Sequence, residues 1–218
     1  MAKACKSMEE LNSKYIENRD YKVLTKLVNA NITILAIHSG GIEAGTSEVA
    51  ERISITGNFN LFSFSGLIND QLQCVENEEI RVTSSKFQHP YLQLLMDKSA
   101  YTVSVHGCDE ENPFLFVGGL DTELINIIKK NLRSRGFNVP DKIRKGLEGI
   151  NSKNVCNRNL RNKGVQLEIP EGLRKEMFGT GWKKLEDRKN KKTDRFFSFC
   201  QCIVESIKEF NMGFKDER

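Results

Sequence analysis

The stretch ILAIHSGGIEAGTSEVAERI at residues 34–53 sets an apolar run against a histidine, two glycines and a glutamate before a helical pattern begins. An apolar run ended by glycine reads as a strand buried on both faces, and the pattern over 46–54 predicts a helix. Thr46 or Ser47 is expected to cap that helix, with Glu48 in its first turn where negative charge is favoured. Glycines between a strand and a helix also suit a phosphate cradle. This turn, however, lacks the Walker lysine and the full glycine pattern.

Working outward, strand-like runs recur at 31–38, 60–64, 79–84, 101–107, 114–119 and 164–169. Helical patterns lie at 46–54, 89–98, 121–135, 141–149, 170–178 and 194–210. Strands alternating with helices predict an α/β sandwich with a mostly parallel or mixed central sheet. The helix at 121–135 is expected to start at Asp121, to bury Leu124, Ile127, Ile128 and Leu132, and to stop at Gly136 as its C′ residue. The segment 183–195, KKLEDRKNKKTDR, is too charged to pack and predicts a surface loop or exposed helix. No boundary divides the chain, so residues 1–218 are expected to form a single catalytic domain.

Composition narrows the class of protein. With 39% hydrophobic and 28% charged residues, the chain has the make-up of a globular domain. It has neither the apolar span of a membrane helix nor the apolar core of a secretory leader, and is expected to be made in the cytoplasm. The six cysteines contain no CxxC pair, which predicts reduced, buried thiols rather than a disulfide framework. The net charge of +4 is unevenly placed: residues 151–192 hold 12 Lys or Arg against 5 Asp or Glu, a bias that suits a polyanionic partner. Nucleic acid is not expected, because one tryptophan, Trp182, makes no stacking platform.

The chain has three histidines, and two of them, His38 and His106, end predicted strands. Ligands in open α/β sheets collect beyond the carboxyl ends of strands, so both imidazoles are expected at one crevice. Glu43 follows His38 by five residues, and the intervening glycines can fold its carboxylate back toward the imidazole. His38, Glu43 and His106 then compose a His₂Glu set of the kind found in hydrolytic zinc sites. Glu168 closes the apolar run GVQLEIP and is expected to act as base on zinc-bound water, passing the proton to a leaving amine. Glu48 and Glu51 are competing carboxylates that fit helix capping and a solvent face. His89 before Pro90 fits a helix start, and Cys108 fits a buried thiol, a soft ligand or a nucleophile.

At this point the residues resemble a known family. The motifs IHSGGIEAGTSEVAERI, SVHGC, VGGLD and NSKNVCNRNLRNKGVQLEIPEGLRK occur in the order and approximate spacing of the phage and bacterial poly-γ-glutamate hydrolases, over about residues 31–175. The resemblance implies a three-layer α/β/α fold similar to the zinc carboxypeptidases and a zinc-dependent hydrolase that cleaves γ-glutamyl amide bonds. It implies one Zn²⁺ held by His38, Glu43 and His106, with Glu168 as the catalytic residue. Asn157 and Arg158 look like the Asn-Arg pair with which carboxypeptidases hold a substrate carboxylate. Arg161, Lys163 and Arg174 would extend a basic cleft for the polymer's free α-carboxylates. Four residues separate His38 from Glu43 where carboxypeptidases leave two, which keeps Glu48 open as an alternative ligand. A monomer acting on poly-γ-glutamate, without nucleic acid or membrane partners and released on host lysis, completes the expectation. The rival readings are another zinc amidase, such as an N-acetylmuramoyl-L-alanine amidase, and a non-catalytic polyanion-binding module.

Overall fold

The computed structural model describes residues 4–28, 30–67 and 78–213. Six strands, β1 (Tyr21–Lys26), β2 (Ile32–Gly40), β3 (Asn60–Gly66), β4 (Tyr101–Cys108), β5 (Phe116–Gly119) and β6 (Val165–Pro170), form one mixed sheet in the order β1-β3-β2-β4-β6-β5. The four central strands are parallel, and the two edge strands run antiparallel to their neighbours. Among the described residues seven helices accompany the sheet: α1 (Met8–Lys14), α2 (Thr46–Gly57), α3 (Pro90–Met96), α4 (Thr122–Ser134), α5 (Glu171–Phe178), α6 (Leu185–Asn190) and α7 (Asp194–Gly213).

The sheet is covered on both faces, which is why its central strands tolerate near-continuous apolar sequence. One core packs Ile34, Ala36, Val103, Val105, Val165 and Leu167 against apolar residues of α2, α4, α5 and α7. The other packs Leu35, Ile37, Phe62 and Phe64 against α1 and α3. The arrangement is the expected three-layer α/β/α sandwich. Among the described residues no helix is long and apolar enough to cross a membrane.

Local sequence accounts for most element ends. Helix α4 buries Leu124, Ile125, Ile128 and Leu132, with Ile127 only partly covered. It closes as a Schellman motif: Gly136 at φ +72° donates to the Arg133 carbonyl and Phe137 to that of Leu132, each at 3.0 Å. Its first turn differs from the expectation. Asp121 sits at the N-cap position without a side-chain cap bond and instead accepts from Arg161 at 2.7 Å in a fully buried setting.

Other expectations need correction. Residues 79–84 form no strand: Glu78–Ile80 make a short 3₁₀ turn, and Val82 makes one isolated bridge to Cys5. Alternation was real there, with Ile80 and Val82 buried, but no neighbouring strand extends the ladder. Residues 141–149 are irregular, because Gly146 and Gly149 take φ of +92° and +66°, which a helix forbids. Strand β1 escaped notice because its edge position exposes Lys22, Leu24 and Thr25, a pattern natural to edge strands. Helix α2 is capped neither by Thr46 nor by Ser47: Gly45 at φ +96° takes the N-cap place, and Thr46 Oγ1 donates to the Glu43 carbonyl at 2.8 Å. Five cysteines are buried and unbridged, as expected; Cys74 lies outside the described residues.

The basic segment 183–195 also departs from its expectation. Arg188, on α6, is fully buried; its Nε donates to Glu48 Oε1 on α2 at 2.8 Å, and its Nη1 donates to the carbonyls of Trp182 and Lys183. A buried guanidinium is tolerable only with such partners, and removing one of them is expensive. Glu48→Ala is therefore expected to destabilise the fold by about 3 kcal/mol or more in urea titration. A loss below about 1 kcal/mol would show that Glu48 is not what balances Arg188.

Candidate metal centre

Parallel β2, β4 and β6 deliver His38, His106 and Glu168 to the same end of the sheet. On β4 and β6 the delivery follows from simple alternation. Val103, Val105, Val165, Leu167 and Ile169 fill one core, so Ser104, His106, Gln166 and Glu168 face the other side. His106 and Glu168 are register partners, as are Ser104 and Gln166.

His38 reaches that side by a different device. Ile34 and Ala36 belong to the first core, so strict alternation would send His38 there as well. Between Ala36 and Ser39 the pairing with β3 shifts by one residue, a bulge that re-aims side chains. His38 thereby turns to the second face, where its Nε2 lies 2.8 Å from the Val82 carbonyl and its ring centroid 5.0 Å from that of His106.

Glu43 returns to the imidazoles through a turn that depends on glycine. Gly40 holds φ +70°, and a Cβ there would lie 2.5 Å from the Gly66 carbonyl oxygen. Gly41 donates to that same carbonyl at 3.0 Å, tying the turn to the end of β3. Glu43 Oε1 then sits 3.2 Å from His38 Nδ1 and Oε2 3.4 Å from His106 Nδ1. Arg81 Nη2 donates to Oε1, and the Gly107 amide donates to Oε2, each at 2.9 Å. Arg174, buried on α5, donates to the carbonyls of Ala44 and Cys108, so it clamps the turn to the end of β4.

The donor set fits a metal ion. His38, Glu43 and His106 each offer one ligand atom, and the three lie within 4.8 Å of one another in a buried position. The Val82 carbonyl can only accept, so His38 Nε2 carries a proton and Nδ1 presents its lone pair. That Nδ1 has no hydrogen-bond partner, yet it faces a carboxylate oxygen. Two acceptors facing each other out of water are uncompensated, and a bound cation between them would supply the missing positive charge. On the far side, Ser104 Oγ lies 3.0 Å from His106 Nε2, a second-sphere contact of the kind that fixes a ligating imidazole. Glu48 is committed to Arg188 and to the Ser47 hydroxyl, which removes it as a rival to Glu43.

The two carboxyls of the site are pushed in opposite directions. In metal-free protein burial would raise Glu43, but the positive charge of the two adjacent imidazoles when protonated outweighs it and holds the carboxyl well below its ordinary range. Glu168 is pushed up to about 7, first by burial and further by the charge of Glu43, although His106, Arg81 and the amide of Gln166 work against the rise. Gln166 Nε2 donates to Glu168 Oε1 at 2.8 Å and so fixes its orientation.

Two cavities meet at this site, sharing Arg81, Leu147 and Glu168. One, of about 270 Å³, is bordered by Glu43, Asp109 and Glu171 and carries Arg81, Arg144, Arg174 and Lys183. The other, of about 320 Å³, includes His38 and His106 and is lined mainly by neutral polar groups such as Ser84, Ser85, Asn151 and Asn154. Of the five substrate-binding residues expected from sequence, Arg174 lines a cavity. Asn157 bonds to the backbone of Gly149, Asn151 and Gly164, and Arg158 donates to the Phe87 carbonyl. Arg161 pairs with Asp121 and lies over Tyr101, while the Lys163 carbonyl accepts from Asn159. Neither cavity is lined by these four. Arg144 and Lys183 do line one, and sequence singled out neither for the cleft. Lys183 belongs to the run expected to be solvated, and Arg144 to the predicted helix that is irregular. Cys108 lines the same cavity as a thiol that burial pushes up to about 11, too high for a nucleophile at neutral pH.

Comparison with known proteins identifies the family and the fold. The model of the family described as poly-gamma-glutamate hydrolase matches residues 5–202. The structure of a bacteriophage poly-gamma-glutamate hydrolase superposes with a TM-score of 0.89 at 29% identity, covering 96% of this chain and 99% of the other. YndL in an apo, zinc-free form superposes with a TM-score of 0.83 at 28% identity, covering 94% and 98%. The UPF0714 protein YndL of Bacillus subtilis (strain 168) is 30% identical over 190 residues, 87% of this chain and 72% of its own length.

The raised Glu168 carboxyl has a measurable consequence in metal-free protein. A folded-state value above the unfolded one contributes stability below pH 4.5 that is lost as pH rises through about 7. Metal-free Glu168→Gln is thus expected to exceed the wild type by about 3 kcal/mol at pH 8, with the gap closing near pH 4. Equal pH profiles in chemical denaturation would contradict the assignment.

Proposed function

The chain belongs to the poly-γ-glutamate hydrolase family, a family of hydrolases, and from that premise we propose that it cleaves the γ-glutamyl amide bonds of poly-γ-glutamate as a zinc enzyme. The observation that carries the metal reading is the buried, unpartnered Nδ1 of His38 facing Glu43, with His106 completing the set. His38, Glu43 and His106 would hold the ion, which when bound supplies Lewis-acid polarisation and brings the pKa of a bound water to about 7.

The chain's own residues divide the remaining work. Glu168, oriented by Gln166, takes a proton from the attacking water and returns it to the α-amine released when the amide C–N bond breaks. Burial in the cleft raises its carboxyl, the direction that proton exchange near neutral pH needs. Arg144, Arg174 and Lys183 hold α-carboxylates of the polymer on one side of Glu168. Arg174 is also braced over the Trp182 ring at 4.6 Å, so its guanidinium is fixed before substrate arrives. The neutral lobe, with its serine and asparagine side chains, accepts the polymer on the other side.

The test is polymer length after incubation, measured beside zinc content. Wild type is expected to bind zinc and shorten poly-γ-glutamate. Glu168→Gln should keep the zinc and lose about 100-fold or more in turnover, whereas His106→Ala should lose both. A Glu168→Gln enzyme that still shortens the polymer at the wild-type rate would sink the assignment.

A further inference from the structure

A cavity larger than either lobe of the catalytic cleft lies elsewhere. A groove of about 760 Å³ runs between β1, α2, α6 and the start of α7, lined on its charged side by Lys22, Arg52, Lys189 and Lys192. Among the described residues, none of these four forms an ion pair with a carboxylate. Two carboxylates share the groove, but Glu48 is already matched by buried Arg188. Glu51 is left facing four positive charges, which is a net excess with no internal explanation.

The cations are held in place. Arg52 lies 5.0 Å over the Phe197 ring; Lys192 lies 5.8 Å over Phe196 and donates to the Lys189 carbonyl at 2.8 Å. Lys22 is the register partner of Ser65, which also lines the groove. Between the charges run Ile55, Leu67 and Leu185, apolar surface of the kind that methylene groups cover.

The groove also neighbours the arginine- and lysine-bearing lobe of the catalytic cleft. Gly40, Ser47 and Leu185 line the groove, while Gly41, Ala44 and Lys183 line the lobe. Three short segments thus border both cavities, with Lys189 and Lys192 on the groove side and Lys183 on the side of the lobe.

We propose that this groove is a second, non-catalytic binding site for a polycarboxylate chain, and that it holds the stretch of poly-γ-glutamate lying beyond the catalytic cleft. The identity of the polymer rests on the function proposed above; the polycarboxylate chemistry rests on the groove itself. Nucleic acid fits less well, because base stacking needs free aromatic faces and Phe197 has Arg52 over its ring.

The test uses Lys189→Glu/Lys192→Glu and the milder Lys189→Gln/Lys192→Gln in the full chain, with unchanged melting temperature as the check on folding. KM for long poly-γ-glutamate is expected to rise about tenfold with the charge-reversed pair and less with the neutral pair, with kcat unchanged. KM for a short γ-linked oligomer that fills only the cleft should not move. An unchanged KM for the polymer, or an equal rise for both substrates, overturns the second site. Labelled polymer is also titrated onto Glu168→Gln with and without the lysine changes. That binding readout decides the groove even if the wild type hydrolyses neither substrate, a result that would defeat the functional reading instead. Displacement of the polymer by a short DNA at lower concentration than by unlabelled poly-γ-glutamate would likewise overturn the proposal.

Discussion

The Glu43 carboxylate, 4% exposed and placed between two imidazoles, is the constraint around which the rest is built. A charge so far from water must be compensated, and the chain brings compensation from several elements. β2 supplies His38, β4 supplies His106 and the Gly107 amide, and the segment after the 3₁₀ turn supplies Arg81. None of these groups would meet without parallel strands ending together, the bulge at the end of β2 and the left-handed Gly40. The fold therefore stores its tightest geometry where the chemistry is, with Arg174 locking the turn from behind.

Two carboxyls in one cleft acquire different characters from their surroundings. Glu43 is held ionised by neighbours that favour the charged form, whereas Glu168 is raised toward neutrality by burial and by Glu43 itself. Groups whose values are driven apart in this way are suited to distinct tasks, one to hold a cation and the other to exchange a proton. The surrounding cavities differ as well, one lined by basic side chains beside carboxylates and the other mainly by neutral polar groups.

Much of this was legible in the sequence where local pattern and tertiary need agree. The buried strands carrying His38, His106 and Glu168 announced themselves as apolar runs, and Gly136 marked the end of α4 through its required left-handed backbone. Legibility failed where long-range partners decide. Alternation around Arg81 looked like a strand because Ile80 and Val82 are buried, but burial came from packing rather than from a ladder. Arg188 sat in a charged run that seemed unable to pack, and only the fold reveals Glu48 opposite it. The same holds for Arg144 and Lys183, whose place in the cleft depends on where irregular segments land. Asn157, read from motif likeness, and Arg161, read from the basic segment, bond to backbone and to Asp121 respectively.

The central claim is that His38 Nδ1, Glu43 and His106 Nδ1 enclose a zinc ion. Anomalous diffraction at the zinc edge, on crystals of the chain grown with zinc, tests it most directly. The expected result is a single strong peak within bonding distance of all three residues. A peak held by other side chains, or none at this cluster with the three residues unchanged, would contradict it.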